Sequence, residues 1–171
     1  LNYFPLAVGR QWQMASELDT TFITIIDSSF IDETLYYEFE AWYEYEQINP
    51  FRVAGNEVLV WSGTQDEKLY DFAAYLGETW SFNYPGTDLS EMTLSAVGGT
   101  ITTPLGTFEN CLGYHRFIGA DFEFYDWFAP DVGLVQRDVI TFAGPRRYAL
   151  IDTGRVAVSI KEATFNPPTQ F

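Results

Sequence analysis

Cysteine is almost missing from this chain: Cys111 is the only one in 171 residues, so no intrachain disulfide is available. Histidine is as scarce, with His115 alone, and no Cys/His cluster exists to supply the three or four ligands that zinc needs. Basic residues are also few. Seven arginines, with Lys68 and Lys161, face 24 acidic residues and give a formal charge of −15. A surface of that sign repels phosphate backbones, which removes nucleic acid and anionic membranes as default partners. No stretch reaches the roughly 20 apolar residues of a membrane-spanning helix, so no membrane insertion is expected. The chain carries no glycine-rich phosphate loop and no nucleophile elbow. It opens at Leu1 rather than Met, without a signal-type apolar run, and the expectation is an extracellular or cell-envelope protein after signal-peptide removal.

What is present in quantity is aromatic. Eleven Tyr, 15 Phe and 5 Trp make 18% of the chain, within a hydrophobic fraction of 47%. Such a composition favours β structure around a large aromatic core. A chain of this length buries roughly 70% of its unfolded surface in one domain and needs no covalent or metal staple.

Periodicity agrees. From Leu35 to Glu46, the residues Leu35, Tyr37, Phe39, Ala41, Tyr43 and Tyr45 alternate with Tyr36, Glu38, Glu40, Trp42, Glu44 and Glu46. A period of two predicts one buried and one wet face, as in an antiparallel sheet covered on one side. The first set is expected in the core and Pro50 is expected to end the strand. Shorter runs of the same kind recur, separated by turn-forming pairs such as Gly55-Asn56, Gly98-Gly99 and Gly144-Pro145. The fold class expected is all-β: an antiparallel meander of about ten strands forming a curved sheet, an open barrel or a sandwich. Leu69, Phe72, Ala73 and Leu76 stand at helical spacing after a cap candidate at Asp66, so at most one short helix is expected there. Residues 1–155 read as a single domain and 156–171 as a strand-like tail.

Four sequence landmarks carry a resemblance. Tyr3-Phe4-Pro5-Leu6-Ala7-Val8-Gly9-Arg10-Gln11-Trp12 opens the chain; Leu69-Tyr70-Asp71-Phe72 precedes Gly77-Glu78-Thr79-Trp80; Gly106-Thr107-Phe108-Glu109-Asn110-Cys111-Leu112 follows; and Trp127-Phe128-Ala129-Pro130-Asp131-Val132-Gly133-Leu134-Val135 comes last. Together they resemble a loose group of exported bacterial β-rich proteins. The resemblance implies fold and export, and no reaction, cofactor or catalytic residue. Where the group has a glycine in the Ala-Pro-Gly-Val-Gly turn, this chain has Asp131, which puts the turn type in question. Physically the landmarks read as punctuation, with Trp12, Trp80 and Trp127 filling the core.

Little in the sequence points to a reactive site. Cys111 reads as a small buried hydrophobe. On a strand, His115 would stand about 13 Å from it, too far for a dyad. Calcium-type ligands occur at Asp27, Asp32 and Glu33, and at Asp121, Glu123 and Asp126, but neither spacing matches a known loop. The expectation is therefore no enzyme, no cofactor and no metal site. Tyr36 and Trp42, sharing a strand face with Glu38, Glu40 and Glu44, form a candidate glycan-binding surface. Residues 1–50 hold nine acids and only Arg10, whereas 137–171 hold five basic residues against three acids, an asymmetry that suits head-to-tail contact between copies or with other surface proteins. Val156, Val158 and Ile160 alternate with smaller or polar residues, and with Phe165 and Phe171 they are the candidate assembly residues, adding a strand to a sheet edge. The leading expectation is a non-enzymatic structural subunit that self-associates at the cell surface. A carbohydrate-binding or other ligand-binding module is the alternative.

Overall fold

Every strand in the computed structural model pairs antiparallel with its neighbours, and all twelve belong to one sheet. The structure describes residues 1–40, 42, 50–84, 89–119 and 122–155. The strands are β1 (Arg10–Ala15), β2 (Thr20–Ile31), β3 (Thr34–Glu40), β4 (Pro50–Ala54), β5 (Glu57–Trp61), β6 (Asp66–Asp71), β7 (Thr79–Phe82), β8 (Ser90–Thr103), β9 (Gly106–Phe117), β10 (Phe122–Ala129), β11 (Gly133–Thr141) and β12 (Gly144–Arg155). Their spatial order is β6-β5-β4-β3-β2-β1-β12-β11-β10-β9-β8-β7. Sequence neighbours are therefore sheet neighbours everywhere but at the centre, where β1 pairs with β12, and at the two edges, β6 and β7.

Those edges approach each other, so the sheet is a nearly closed barrel. Register shifts in β1–β12, β2–β3, β5–β6, β8–β9 and β10–β11 supply the bends. The seam between β6 and β7 is held by side chains. Trp80 Nε1 donates to the Lys68 carbonyl at 2.9 Å, the Lys68 ammonium lies 4.8 Å from the Trp80 ring centroid, and the Asn83 amide donates to Glu67 at 3.2 Å. An edge covered in this way is protected from pairing with foreign strands.

Aromatic rings fill the interior. Phe4, Phe39, Trp42, Phe51, Tyr70 and Phe128 are all buried, and the Phe4 centroid lies within 6.4 Å of each of the other five. Offset and edge-on ring pairs of this sort add about 0.5–1.5 kcal/mol each beyond the area they bury.

The landmarks converge on one end of the barrel. The first residues strap across it: Trp12 Nε1 donates to the Val132 carbonyl at 2.8 Å, the Asp131 amide to the Asn2 carbonyl at 2.7 Å, and Tyr3 Oη to the Asn110 carbonyl at 2.9 Å. Tyr3 also stacks on Phe72 at 5.3 Å. A Cβ on Gly133 would lie 3.0 Å from the Trp12 indole, at a backbone φ of 96°, so this position suits glycine on both counts. Asp131 sits at φ 61° and occupies the left-handed conformation that a glycine would adopt there. Trp12 is buried, whereas Trp80 and Trp127 are only half-buried.

The segment with helical spacing, where at most one short helix was expected, is strand β6 followed by a turn, and no helix occurs among the described residues; the spacing of Leu69 and Phe72 arises because the strand ends at Asp71 and the chain reverses. Two expectations are corrected. Pro50 begins β4 instead of ending the preceding strand, and the first position of a strand is one of the few that spare its missing N–H. The alternation along β3 also fails: Tyr36, Phe39 and Trp42 are buried, Leu35 is 37% exposed and Tyr37 is half-buried. Strand β3 stops at Glu40, so Trp42 lies beyond the ladder and turns into the core. Ala41, Tyr43, Tyr45 and Glu46 lie outside the described residues.

Candidate functional site

Within a strand, a charged residue at a core-facing position must find its partner inside the protein. Three such residues stand out. Asp126 lies between buried Phe124 and Phe128, Arg137 between buried Val135 and Val139, and Arg116 two residues after buried Tyr114. Asp126 and Arg137 face each other directly across β10 and β11. Arg137 Nε donates to Asp126 Oδ1 at 2.6 Å and Nη2 to Oδ2 at 2.9 Å. Arg137 Nη1 donates to the Trp42 carbonyl, its guanidinium lies 5.2 Å from the Trp42 ring centroid, and Tyr70 Oη donates to Asp126 Oδ2 at 2.6 Å. Tyr70 and Trp42 come from the β1–β6 half of the sheet, Asp126 and Arg137 from the other. The cluster is a strut across the barrel. Arg116 is packed among the rings of Phe82, Tyr84 and Phe124 and donates to Ser90 Oγ at 3.1 Å. Sequence reasoning missed the Asp126–Arg137 pair; the alternations Phe124-Asp126-Phe128 and Val135-Arg137-Val139, which place a charge at a core-facing position, were the signal that could have found it.

The candidate glycan surface is not assembled. Tyr36 and Trp42 are each 3% exposed and lie on different sides of the sheet. Tyr36 is covered by Trp61, edge-on at 6.0 Å, and by the Arg52 guanidinium at 5.8 Å, and its hydroxyl donates to Asp66 at 2.8 Å. Burial, and then the Asp66 bond, push its pKa up. Trp42 is in the core. Neither ring offers a face on which a sugar stacks. Glu38 is half-buried and Glu40 exposed on β3; Glu44 lies outside the described residues, as do Val156, Val158, Ile160, Phe165 and Phe171.

Cys111 is buried, and burial raises its thiol pKa, away from the reactive thiolate. His115 lies on β9 in a hydrogen-bonded trio: its Nε2 is 2.9 Å from Glu123 Oε2, which also accepts from Tyr125 Oη at 3.0 Å, and the imidazole stacks on Tyr125 at 4.4 Å. No group of three His, Cys, Asp or Glu side chains is gathered at metal-binding distance among the described residues.

The charge asymmetry of the sequence also changes meaning in three dimensions. Because β1 pairs with β12, Arg10 stands opposite Arg155, and the two unlike ends of the sequence lie side by side within one copy. Arg146 pairs with Asp19 at 3.5 Å, Arg147 with Asp138 at 2.7 Å and Arg137 with Asp126. Three of the C-terminal cations are thus engaged internally, and the asymmetry no longer argues for head-to-tail contact.

Two concavities lie at one end of the barrel among the described residues. Inside the mouth opposite the N-terminal strap is a cavity of about 40 Å³, lined chiefly by Met14, Ile23, Trp42, Phe124, Leu134 and Val139. It has room for a water molecule or two and none for a substrate. Outside the same mouth, a groove of about 1040 Å³ runs along the β11–β12 hairpin. It is flanked by Leu18 at the β1–β2 turn and Phe142 at the β11–β12 turn, 77% and 86% exposed.

Comparison with known proteins bears on the fold. No family model matches the chain, and no curated protein matches it. Among solved structures, a "putative exported protein with YmcC-like fold" from Bacteroides fragilis superposes with a TM-score of 0.50 at 12% identity, over 90% of this chain and 99% of that one. A "putative lipoprotein" from Parabacteroides distasonis gives 0.47 at 13% identity, over 89% and 98%. This chain shares the YmcC-like fold.

Proposed function

We propose that this protein is a non-enzymatic subunit of the cell envelope or extracellular space that works by association with copies of itself or with other surface proteins. The observation that carries the reading is the pair of nearly fully exposed apolar side chains, Leu18 and Phe142, on neighbouring hairpins beside one groove. Exposed apolar side chains that line one groove, as these two and Ile140 do, are the kind of surface that marks interaction sites. The non-enzymatic reading is supported by how the reactive side chains are used: Asp126, Arg137 and Tyr70 brace the barrel, and Cys111 is buried. Among the described residues, the interior is filled by buried aromatic and aliphatic side chains. The placement outside the cytoplasm is supported by the fold shared with a structure described as exported. Sedimentation velocity from micromolar to near-millimolar protein tests the association. Growth of the sedimentation coefficient with concentration is the expected result, and a strict monomer throughout the range removes self-association.

A further inference from the structure

We propose that the groove beside Leu18 and Phe142 receives residues 156–171 of a second copy, so that copies join head to tail. The inference rests on the association reading above and names the surfaces that carry it.

Most of the groove's lining is apolar, with Leu18, Phe122, Tyr125, Ile140, Phe142 and Pro145 contributing to it. Its charged residues, Glu17, Asp138, Arg146 and Arg147, sum to zero. Arg147 Nε and Nη2 donate to Asp138 at 2.7 and 2.9 Å, and Arg146 reaches Asp19 at 3.5 Å. A neutral apolar surface is unusual on a chain with a formal charge of −15.

Residues 156–171 match it in chemistry. They include Val156, Val158, Ile160, Phe165 and Phe171, and their only charges are Lys161 and Glu162. Their net charge is therefore zero (1 − 1), and residues 1–155 carry the whole −15 (8 basic against 23 acidic). Like-charge repulsion opposes contact between most surfaces of two copies, but it does not oppose these two.

Geometry selects the neighbour. Strand β12 runs from Gly144, beside the groove, to Arg155 at the opposite end of the barrel, a separation of about 36 Å at roughly 3.3 Å per residue. Sixteen extended residues span about 53 Å at most, so about two thirds of the segment would be used in travelling back to its own groove. Strand β12 is flanked by β1 and β11, which leaves no ladder position beside it on the way. In a second copy the whole segment is available to the groove. The contact is heterologous, with the strapped end of one barrel facing the groove end of the next.

Complementation between two full-length variants tests the proposal. Phe142→Asp changes the groove, Phe165→Asp with Ile160→Asp changes the segment, and Leu18→Asp serves as a second groove variant. Each variant alone is expected to associate at least tenfold more weakly than the parent in sedimentation velocity, with an unchanged circular dichroism spectrum. A mixture of one groove variant and the segment variant is expected to form heterodimers that stop at two copies, because one intact groove meets one intact segment. Failure of the mixed variants to form a heterodimer overturns the proposal, as does a groove variant that associates as well as the parent. If the parent associates and both variants do too, the groove assignment falls while the association reading stands. A parent that remains a monomer removes both. Partition of the parent onto phosphatidylethanolamine vesicles, abolished by Phe142→Asp while the mixture stays monomeric, would replace the second copy with a lipid surface.

Discussion

The Tyr70 hydroxyl donates to the Asp126 carboxylate at 2.6 Å across 56 positions of sequence, and the bond links the two halves of the sheet through the barrel interior. Arg137 completes the arrangement with two further hydrogen bonds to the same carboxylate. Removing either partner leaves a buried charge less well satisfied, and the cost differs by which one is taken.

Tyr70→Phe is expected to cost about 1.5–3 kcal/mol, the range for a hydrogen bond to a charged group. Arg137→Met is expected to cost about 3–5 kcal/mol, because it strands the Asp126 charge in the core. Adding Asp126→Leu to Arg137→Met should recover much of that loss. Urea unfolding of the four proteins reads the energies, and an Arg137→Met variant within 0.5 kcal/mol of the parent would show that the pair is not a strut.

Trp127 makes a different demand on its neighbours. A Cβ on Gly99 would sit 2.6 Å from the indole, and one on Gly113 3.0 Å, so both glycines are needed to let the ring lie against the sheet. Gly99→Ala is expected to cost about 1–3 kcal/mol, as overpacking does. In a Trp127→Ala background the same change should be nearly neutral. Additive costs in the double variant would mean that the clash is not with the indole.

Position 131 tests backbone conformation. Asp131 holds φ at 61° while its carboxylate accepts from the Asn2 amide at 3.2 Å. Asp131→Gly relieves the left-handed conformation and loses an exposed hydrogen bond, two effects of about 1 kcal/mol or less that oppose each other. Its melting temperature should stay close to the parent's. Asp131→Val loses the bond and gains the strain, and it should melt several degrees lower; equal melting temperatures for the two variants would contradict the assignment.

Alkaline stability follows from Tyr114. Burial pushes its pKa well above the ordinary tyrosine value of about 10, while its hydroxyl donates to the Asp71 carbonyl at 2.9 Å. Above pH 10 the unfolded chain gives up this proton and the folded one keeps it, so the unfolded state binds fewer protons and stability falls as pH rises. The stability is present in full below pH 10 and is lost progressively above it. Thermal melts between pH 8 and 11 should show the parent losing more than Tyr114→Phe. Parallel curves would rule out Tyr114 as a source of the loss. Tyr3, Tyr36 and Tyr125 are also raised by burial, so the variant should retain part of the slope.

The sequence revealed the class of the fold because period-two patterning and turn pairs are local signals, and the antiparallel meander follows from them. Its failures share one physical cause, which is that burial on a curved sheet is decided by neighbours in space. Tyr36 is on the face read as wet, yet Trp61 and Arg52, from two other strands, cover it. Trp42 follows the period-two pattern in sequence, but its strand has already ended. Arg137 and Arg146 entered the sequence reading only as part of a charge asymmetry, because the ladder that sets Asp126 and Asp19 within reach of them is not visible there. The groove was not legible, because Leu18 and Phe142 are 124 positions apart and are brought to one groove only through the pairing of β1 with β12.

That central ladder also determines how the chain must assemble. Ten of the eleven strand pairings join sequence neighbours, and the remaining one, β1 with β12, closes a loop of nearly the whole described chain. Cutting the connection between β6 and β7 and linking the end of β12 to the start of β1 would produce a chain that reads β7 to β12 and then β1 to β6, the order of the sheet from edge to edge. In this circular permutant every pairing is local, and relative contact order drops without the loss of a single ladder. Faster folding at similar stability is the consequence: the native order of the strands places the slowest pairing at the middle of the sheet and leaves its two halves to form first as independent meanders.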